Sequence, residues 1–101
     1  MVTEKPETRI IEGQEVRRGR QLLGMLSTER KLRILQLLAT GINFNVKTIA
    51  CGTDITPPTA SIILSGLTEA GVIARRKIGR EVYYNLVEPK IIEVLRVLKL
   101  A

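Results

Sequence analysis

Residues 55–86 of this 101-residue chain, ITPPTASIILSGLTEAGVIARRKIGREVYYNL, contain its strongest fold signals. Thr56 is a good N-cap, and Pro57 follows at the first helical position, where its missing backbone N–H costs nothing. Gly71 suits the left-handed conformation that ends many helices. These signals predict a helix from Pro57 to about Ala70. Its inward face repeats at helical spacing: Ala60, Ile63, Leu64 and Leu67.

The second half of this stretch predicts a β-hairpin. Residues 72–78 and 81–86 flank Gly79-Arg80, a dipeptide typical of a hairpin turn. The second of these segments alternates with the period of two that a half-buried strand shows. We therefore expect two antiparallel strands directly after the helix.

Apolar periodicity outside this stretch predicts four more helices. Residues 1–12 are polar and patternless, and we expect a flexible N-terminal arm there. The domain then covers 13–101, with the further helices at residues 13–26, 27–40, 46–51 and 90–100. This order predicts a mostly α fold with a β-hairpin wing, that is, a winged helix-turn-helix of five helices and two strands.

Three segments of the sequence resemble the ArsR/SmtB family of winged helix-turn-helix transcriptional regulators. LSTERKLRILQLL (26–38) is similar to the second helix of that family, and ITPPTASIILSGLTEAGVI (55–73) to its recognition helix. RRKIGREVYYNL (75–86) resembles the family's wing. The resemblance implies a transcriptional repressor that binds a palindromic site in double-stranded DNA as a homodimer.

Charge and composition agree with a nucleic-acid partner and exclude several other classes. Sixteen Lys and Arg oppose ten Asp and Glu, which gives a formal net charge of +6. The absence of histidine and the single cysteine exclude histidine-based triads, structural zinc and an intrachain disulfide. No apolar run approaches the ~20 residues of a membrane span. We expect a cytoplasmic protein with no enzymatic activity, no cofactor and no membrane or metal partner.

The hairpin carries the densest positive charge of the chain. Arg75, Arg76, Lys77 and Arg80 fall within six positions, without an acid before Glu81. We expect these four cations to contact DNA, since a solvated hairpin alone does not require such a run. Arg80, at the predicted tip, is the candidate for the minor groove, and the others would neutralise phosphates.

The outward face of the predicted recognition helix is unusual. It holds no Arg, Lys, Asn or Gln, the residues that read guanine and adenine by paired hydrogen bonds. The helix is expected to read DNA weakly through small contacts, or to bind protein with Ile62 as an apolar anchor, or Ile62 has no role. The predicted DNA-contacting residues here are Thr56, Pro58, Thr59, Ser61, Ile62 and Ser65.

The metal-binding positions of the family carry unsuitable residues in this chain. The two cysteines of the family's third-helix metal site correspond to Asn45 and Lys47. On the last helix, Glu93 is the sole candidate ligand. Neither set suits a soft metal ion, so we expect no metal response. Cys51 is either a redox-responsive thiol or a buried, inert small hydrophobe.

The last predicted helix is more apolar than a small core can cover, which indicates a partner subunit. We expect the first and last helices, 13–26 and 90–100, to form the dimer interface. The alternatives are a winged-helix protein-interaction module or a non-specific DNA-binding protein. The predicted interface residues are Val16, Leu23, Leu26, Ile91, Ile92, Leu95 and Leu98.

Overall fold

A computed structural model describes residues 13–101 of the chain, so the arm predicted for residues 1–12 lies outside the described residues. Five helices and three strands follow one another in the order α1 α2 β1 α3 α4 β2 β3 α5. Their bounds are α1 Gly13–Gly24, α2 Glu29–Leu38, β1 Phe44–Asn45, α3 Val46–Thr53, α4 Pro57–Glu69, β2 Ile73–Ile78, β3 Glu81–Leu86 and α5 Pro89–Val97.

The prediction of two strands is wrong by one. β1 pairs antiparallel with β3, with Phe44 opposite Tyr84 and Asn45 opposite Tyr83. The strands of the sheet therefore lie in the order β1-β3-β2. A strand of two residues has no period of its own, so no sequence pattern announces it.

The helix-turn-helix is formed by α3 and α4. Asp54 ends α3 in the left-handed conformation (φ 59°), and the Ile55 N–H donates to the Ala50 carbonyl at 3.0 Å. This bond pattern satisfies carbonyls that the helix end would leave unpaired. Ile55 is buried, so the turn is anchored in the core before α4 begins. The predicted end of the third helix at residue 51 is too early, because Thr53 is buried and donates its hydroxyl to the Ile49 carbonyl at 2.6 Å.

The core is aliphatic and lies between the helices and one face of the sheet. Of the predicted inward face of α4, Ala60, Leu64 and Leu67 are fully buried, whereas Ile63 packs partly buried against the core. Residues contributed by the other elements complete the core: Ile34, Leu35, Leu38, Ile49, Val72, Ile73, Tyr84, Ile91 and Leu95. Burial of apolar surface contributes about 25 cal/mol per Å², so this core makes the main contribution to the stability of the fold. The same packing holds α4 in a fixed orientation relative to the rest of the domain.

The two outer helices are shorter than predicted. α1 ends at Gly24, because the chain continues in a tighter turn in which the Leu26 N–H donates to the Leu23 carbonyl at 3.0 Å. α5 ends at Val97, because Lys99 adopts a left-handed conformation (φ 62°) and the Leu100 N–H donates to the Leu95 carbonyl at 2.7 Å.

Candidate nucleic-acid interface

The outward side of α4 is polar apart from one large apolar side chain. Ser61 and Ser65 are exposed, and Ile62 between them is 75% exposed. The structure thus presents all three to solvent, as predicted from the helical spacing. No residue of α4 carries a positive charge, so this helix offers a ligand only hydroxyls, apolar surface and backbone N–H groups.

The N-terminal end of α4 is built by Thr56, Pro57 and Pro58, which are all exposed. Thr56 occupies the N-cap position, but its side chain makes no capping bond to the helix. Its hydroxyl instead bonds to the hydroxyl of Thr59 at 3.0 Å. Since the first N–H groups of a helix have no partner within the helix, this end of α4 offers donors to an anion.

The wing is the hairpin formed by β2 and β3. Glu81 lies opposite Ile78, so Gly79 and Arg80 form a two-residue turn, as predicted. Gly79 has a positive φ of 64°, which a residue without Cβ adopts at no steric cost. Arg80 is exposed at this tip.

The cations of the wing are divided between its two faces. Successive side chains of a strand point to opposite faces, and directly opposed residues share one. Arg75 shares a face with Tyr84, whereas Arg76 shares the other face with Tyr83. Arg75, Arg76 and Lys77 are all exposed. The wing therefore presents positive charge on both sides and at its tip, which suits a hairpin lying along a phosphate backbone.

One further cation lies beside the recognition helix and was not predicted to contact DNA. Lys47 of α3 lines a surface groove together with Cys51, Asp54 and Thr56. The start of α4 lines the same groove and has no cation of its own. The sequence signal that singles out Lys47 is its place on the first helix of a helix-turn-helix, the helix that crosses the DNA backbone in complexes of this kind.

The interpretation of Cys51 as a buried small hydrophobe is wrong, because its side chain is exposed. The apolar side of α3 is formed by Ile49 and Ala50, and residue 51 lies beyond that stripe. A redox role for Cys51 stays a prediction.

The residues that correspond to the family's metal ligands make hydrogen bonds and an ion pair in this chain. The Asn45 side chain caps α3 by accepting the Thr48 N–H at 2.8 Å, and its amide donates to a Glu81 carboxylate oxygen at 3.1 Å. Lys47 places an ammonium where a ligand would be needed, and Glu93 pairs with Arg96 at 2.6 Å. Across residues 13–101, no cluster of three or more His, Cys, Asp or Glu is present. These side chains do not fit a metal ion.

The predicted dimer residues fall into two groups. Val16, Leu23 and Leu98 are 56%, 66% and 54% exposed, so they are available to a partner. Ile91 and Leu95 were predicted to meet a partner subunit, and this is wrong, since both are buried in the core of their own chain. Apolar residues occur on both the inner and the outer face of α5, so the sequence pattern does not show which of them face the core.

The remaining predicted dimer residues have intermediate solvent exposure. Leu26 and Ile92 are half-buried. Val97, which was not predicted, is 72% exposed. We call Val16, Leu23, Val97 and Leu98 the outer apolar face. No helix among the described residues has both the length and the apolar character needed to cross a membrane.

Comparison with known proteins rests on structure, since no protein-family model and no curated protein matches the chain. The transcriptional repressor PagR of Bacillus anthracis superposes with a TM-score of 0.78 at 24% identity, covering 86% of this chain and 99% of PagR. The transcriptional repressor BigR from Xylella fastidiosa gives 0.76 at 26% identity, covering 84% and 86%.

A third neighbour is a homodimeric winged helix-turn-helix DNA-binding domain from Mycobacterium bovis, named as a possible ArsR-family transcriptional regulator. Its TM-score is 0.76 at 23% identity, covering 96% of this chain and 84% of that one. These neighbours belong to the regulatory, non-enzymatic class that the sequence predicted. The chain thus shares the winged helix-turn-helix fold of the ArsR/SmtB-type transcriptional regulators that its sequence resembles.

Proposed function

We propose that this protein is a DNA-binding transcriptional repressor that acts as a homodimer on a palindromic site and does not respond to metal ions. The observation that carries the proposal is the wing, which places exposed Arg75, Arg76, Lys77 and Arg80 beside a helix-turn-helix whose exposed helix is α4. Cations on both faces of a hairpin and at its tip are suited to phosphates and to a minor groove.

Within this proposal, α4 lies in the major groove and supplies small contacts. Thr59, Ser61 and Ser65 bind phosphates or base edges through their hydroxyls, and Ile62 contacts a thymine methyl group. Thr56 and Pro58 place the N-terminal end of the helix against the backbone. The helix then reads sequence weakly, and the wing supplies most of the affinity.

The outer apolar face supports a homodimer. Its members, from α1 and α5, leave large apolar side chains in water that a second copy of the chain would cover. The homodimeric neighbour from Mycobacterium bovis has the same fold. A two-fold axis through this face would place two recognition helices on successive major grooves of one side of DNA.

One observation favours a second candidate, a protein-interaction module. Ile62 is 75% exposed on a helix that lacks the side chains of sequence-specific readers. In that case the wing charge is incidental and an apolar surface docks on protein.

Salt dependence separates the two candidates. The repressor should bind a generic 30-base-pair duplex with an affinity that falls about a thousandfold or more between 50 and 200 mM salt, since several phosphates are neutralised by each dimer. A protein-interaction module should show little affinity for the duplex at either concentration. That second result would overturn the proposed function.

A further inference from the structure

Arg18 of α1 connects three parts of the fold that are distant in sequence. Its Nη1 donates to the Ala70 carbonyl at 2.8 Å, and its Nη2 donates to a Glu88 carboxylate oxygen at 2.8 Å. The same Nη1 also bonds to Gln21 of its own helix at 2.6 Å. The contacts with Ala70 and Glu88 span 52 and 70 residues of sequence, and together the three contacts use both Nη atoms of the guanidinium.

The two acceptors outside α1 lie at helix ends. Ala70 is the C-cap of α4, and its carbonyl is among those that the helix leaves without an internal partner. A cation is favoured at this end by the helix dipole. Glu88 is the N-cap of α5, where its other carboxylate oxygen accepts the Lys90 N–H at 3.1 Å.

The ion pair between Arg18 and Glu88 is supported by further hydrogen bonds. The side chain of Arg18 is 35% exposed and that of Glu88 is 15% exposed. The Glu88 backbone is also held, because the Val87 and Glu88 N–H groups both donate to the Val72 carbonyl, three residues after the end of α4. Hydrogen bonds between charged groups are shorter and more directional than neutral ones, so the pair is suited to hold a fixed geometry.

The two helices that meet at Arg18 also carry the outer apolar face. Val16 and Leu23 lie on α1, and Val97 lies on α5 with Leu98 at its C-cap. Arg18 thus joins both helices of that face to the C-terminal end of α4.

We propose that Arg18 is a positioning residue that fixes the recognition helix relative to the outer apolar face, so that a dimer holds its two recognition helices at the spacing of two half-sites. This inference rests on the proposed function. Binding to a single half-site needs one recognition helix and one wing only. Binding to two half-sites also needs a fixed distance and angle between them, and loss of the anchor relaxes both.

The test compares two duplexes: a palindromic duplex recovered by selection from random duplexes, and the same duplex with one half-site scrambled. The variants are Arg18→Met, which keeps the apolar stem but removes the fork, and Arg18→Lys, which keeps the charge without the fork. The matched control is Arg20→Met, which removes the same charge from an exposed position of α1 that makes none of these contacts.

We expect Arg18→Met to weaken binding to the palindrome about tenfold and binding to the single half-site less than about twofold, with Arg18→Lys between Arg18→Met and the wild type. Arg20→Met should leave the ratio of the two affinities unchanged. Circular dichroism and sedimentation establish that each variant is folded and dimeric. If Arg18→Met does not fold, Arg18→Lys carries the comparison.

Two results would overturn the inference about Arg18 and leave the proposed function standing. One is an equal loss on both duplexes, or no loss on either, which would make Arg18 an ordinary structural contact. The other is a variant that sediments as a monomer, since the loss would then lie in assembly. A wild-type protein that yields no palindrome in the selection would instead overturn the proposed function, and the inference with it.

Discussion

Arg76 lies directly opposite Tyr83 in the antiparallel ladder between β2 and β3, on the sheet face away from the one that carries buried Tyr84. Its neighbour Arg75 lies opposite Tyr84 and so points to the other face. Adjacent arginines of the wing therefore cannot contact the same phosphate from the same side. The pairing predicts that the edge of the wing lies along a DNA strand, with Arg75 and Arg76 contacting different phosphates from opposite faces of the hairpin.

Replacing Arg76 by alanine tests this placement of the wing. A dimer of the variant loses two phosphate-neutralising cations, so the slope of log affinity against log salt should fall in magnitude by about 2. Titrations of one duplex at four salt concentrations measure the slope. The matched control is Arg96→Ala, which removes an exposed arginine paired with Glu93 on α5. An equal change in both variants would contradict a specific role for the wing.

Ser61→Glu combined with Ser65→Glu should abolish DNA binding. Both serines are exposed on the outward side of α4, and each glutamate would place a carboxylate against the phosphate backbone. Gel-shift titration up to micromolar protein measures the loss. Gln36→Glu, at an exposed position of α2, is the control and should bind nearly as the wild type does. Retained binding by the double variant would exclude α4 from the interface.

The exposed and buried members of the predicted dimer surface should behave differently. Leu23→Glu, at a position 66% exposed, should turn the dimer into a folded monomer in analytical ultracentrifugation. Ile62→Ser, which removes a side chain of similar exposure from α4, should leave the dimer intact. A Leu23→Glu variant that stays dimeric at micromolar concentration would place the subunit contact elsewhere.

Ile91→Ala should instead destabilise each subunit. Its side chain is 1% exposed, so truncation leaves a cavity and costs about 2–5 kcal/mol of the free energy of unfolding. Urea denaturation at fixed protein concentration measures the change. A cost below about 0.5 kcal/mol would show that the position is not part of the core.

The pH dependence of stability should report on Glu88. The Lys90 backbone N–H and, next, the Arg18 guanidinium hold the pKa of the Glu88 carboxyl below its ordinary value of 4.5, and the charges of Arg18 and Lys90 act in the same direction. Since the folded pKa is the lower one, the stabilisation is present above about 4.5 and is lost as pH falls through the folded pKa.

Urea midpoints of the wild type and Glu88→Gln, compared from pH 7 to pH 3, test this. The wild type should be more stable than Glu88→Gln at pH 7, and the difference between their urea midpoints should narrow below about pH 4.5. Comparison with the variant cancels the titration of the other carboxyls. A gap that stays constant over the whole range would show that the Glu88 charge does not contribute.

The predictable parts of the fold are those with strong local signals. The bounds of α4 and of the hairpin agree with prediction to within one residue, because Pro57, Gly71 and Gly79 each enforce a backbone geometry at that position. The end of α5 was missed because Lys99 takes a conformation that glycine usually supplies.

The parts that were missed depend on contacts between distant residues. Pairing of β1 with β3 joins residues about 40 positions apart, and two residues carry no periodic signal. Whether an apolar residue of α5 meets its own core or a partner depends on how the helix is rotated, so Ile91 and Leu95 were misassigned. The bond from Arg18 to Ala70 has no local signature at all.

Selection of bound sites from random double-stranded DNA is the decisive experiment for a dimeric repressor. We expect an enriched inverted repeat whose half-sites are centred about 10 base pairs or a multiple of that spacing apart, recovered by a protein that sediments as a dimer. Recovery of no common sequence, or of a single unrepeated half-site, would contradict a dimeric repressor of a palindromic site.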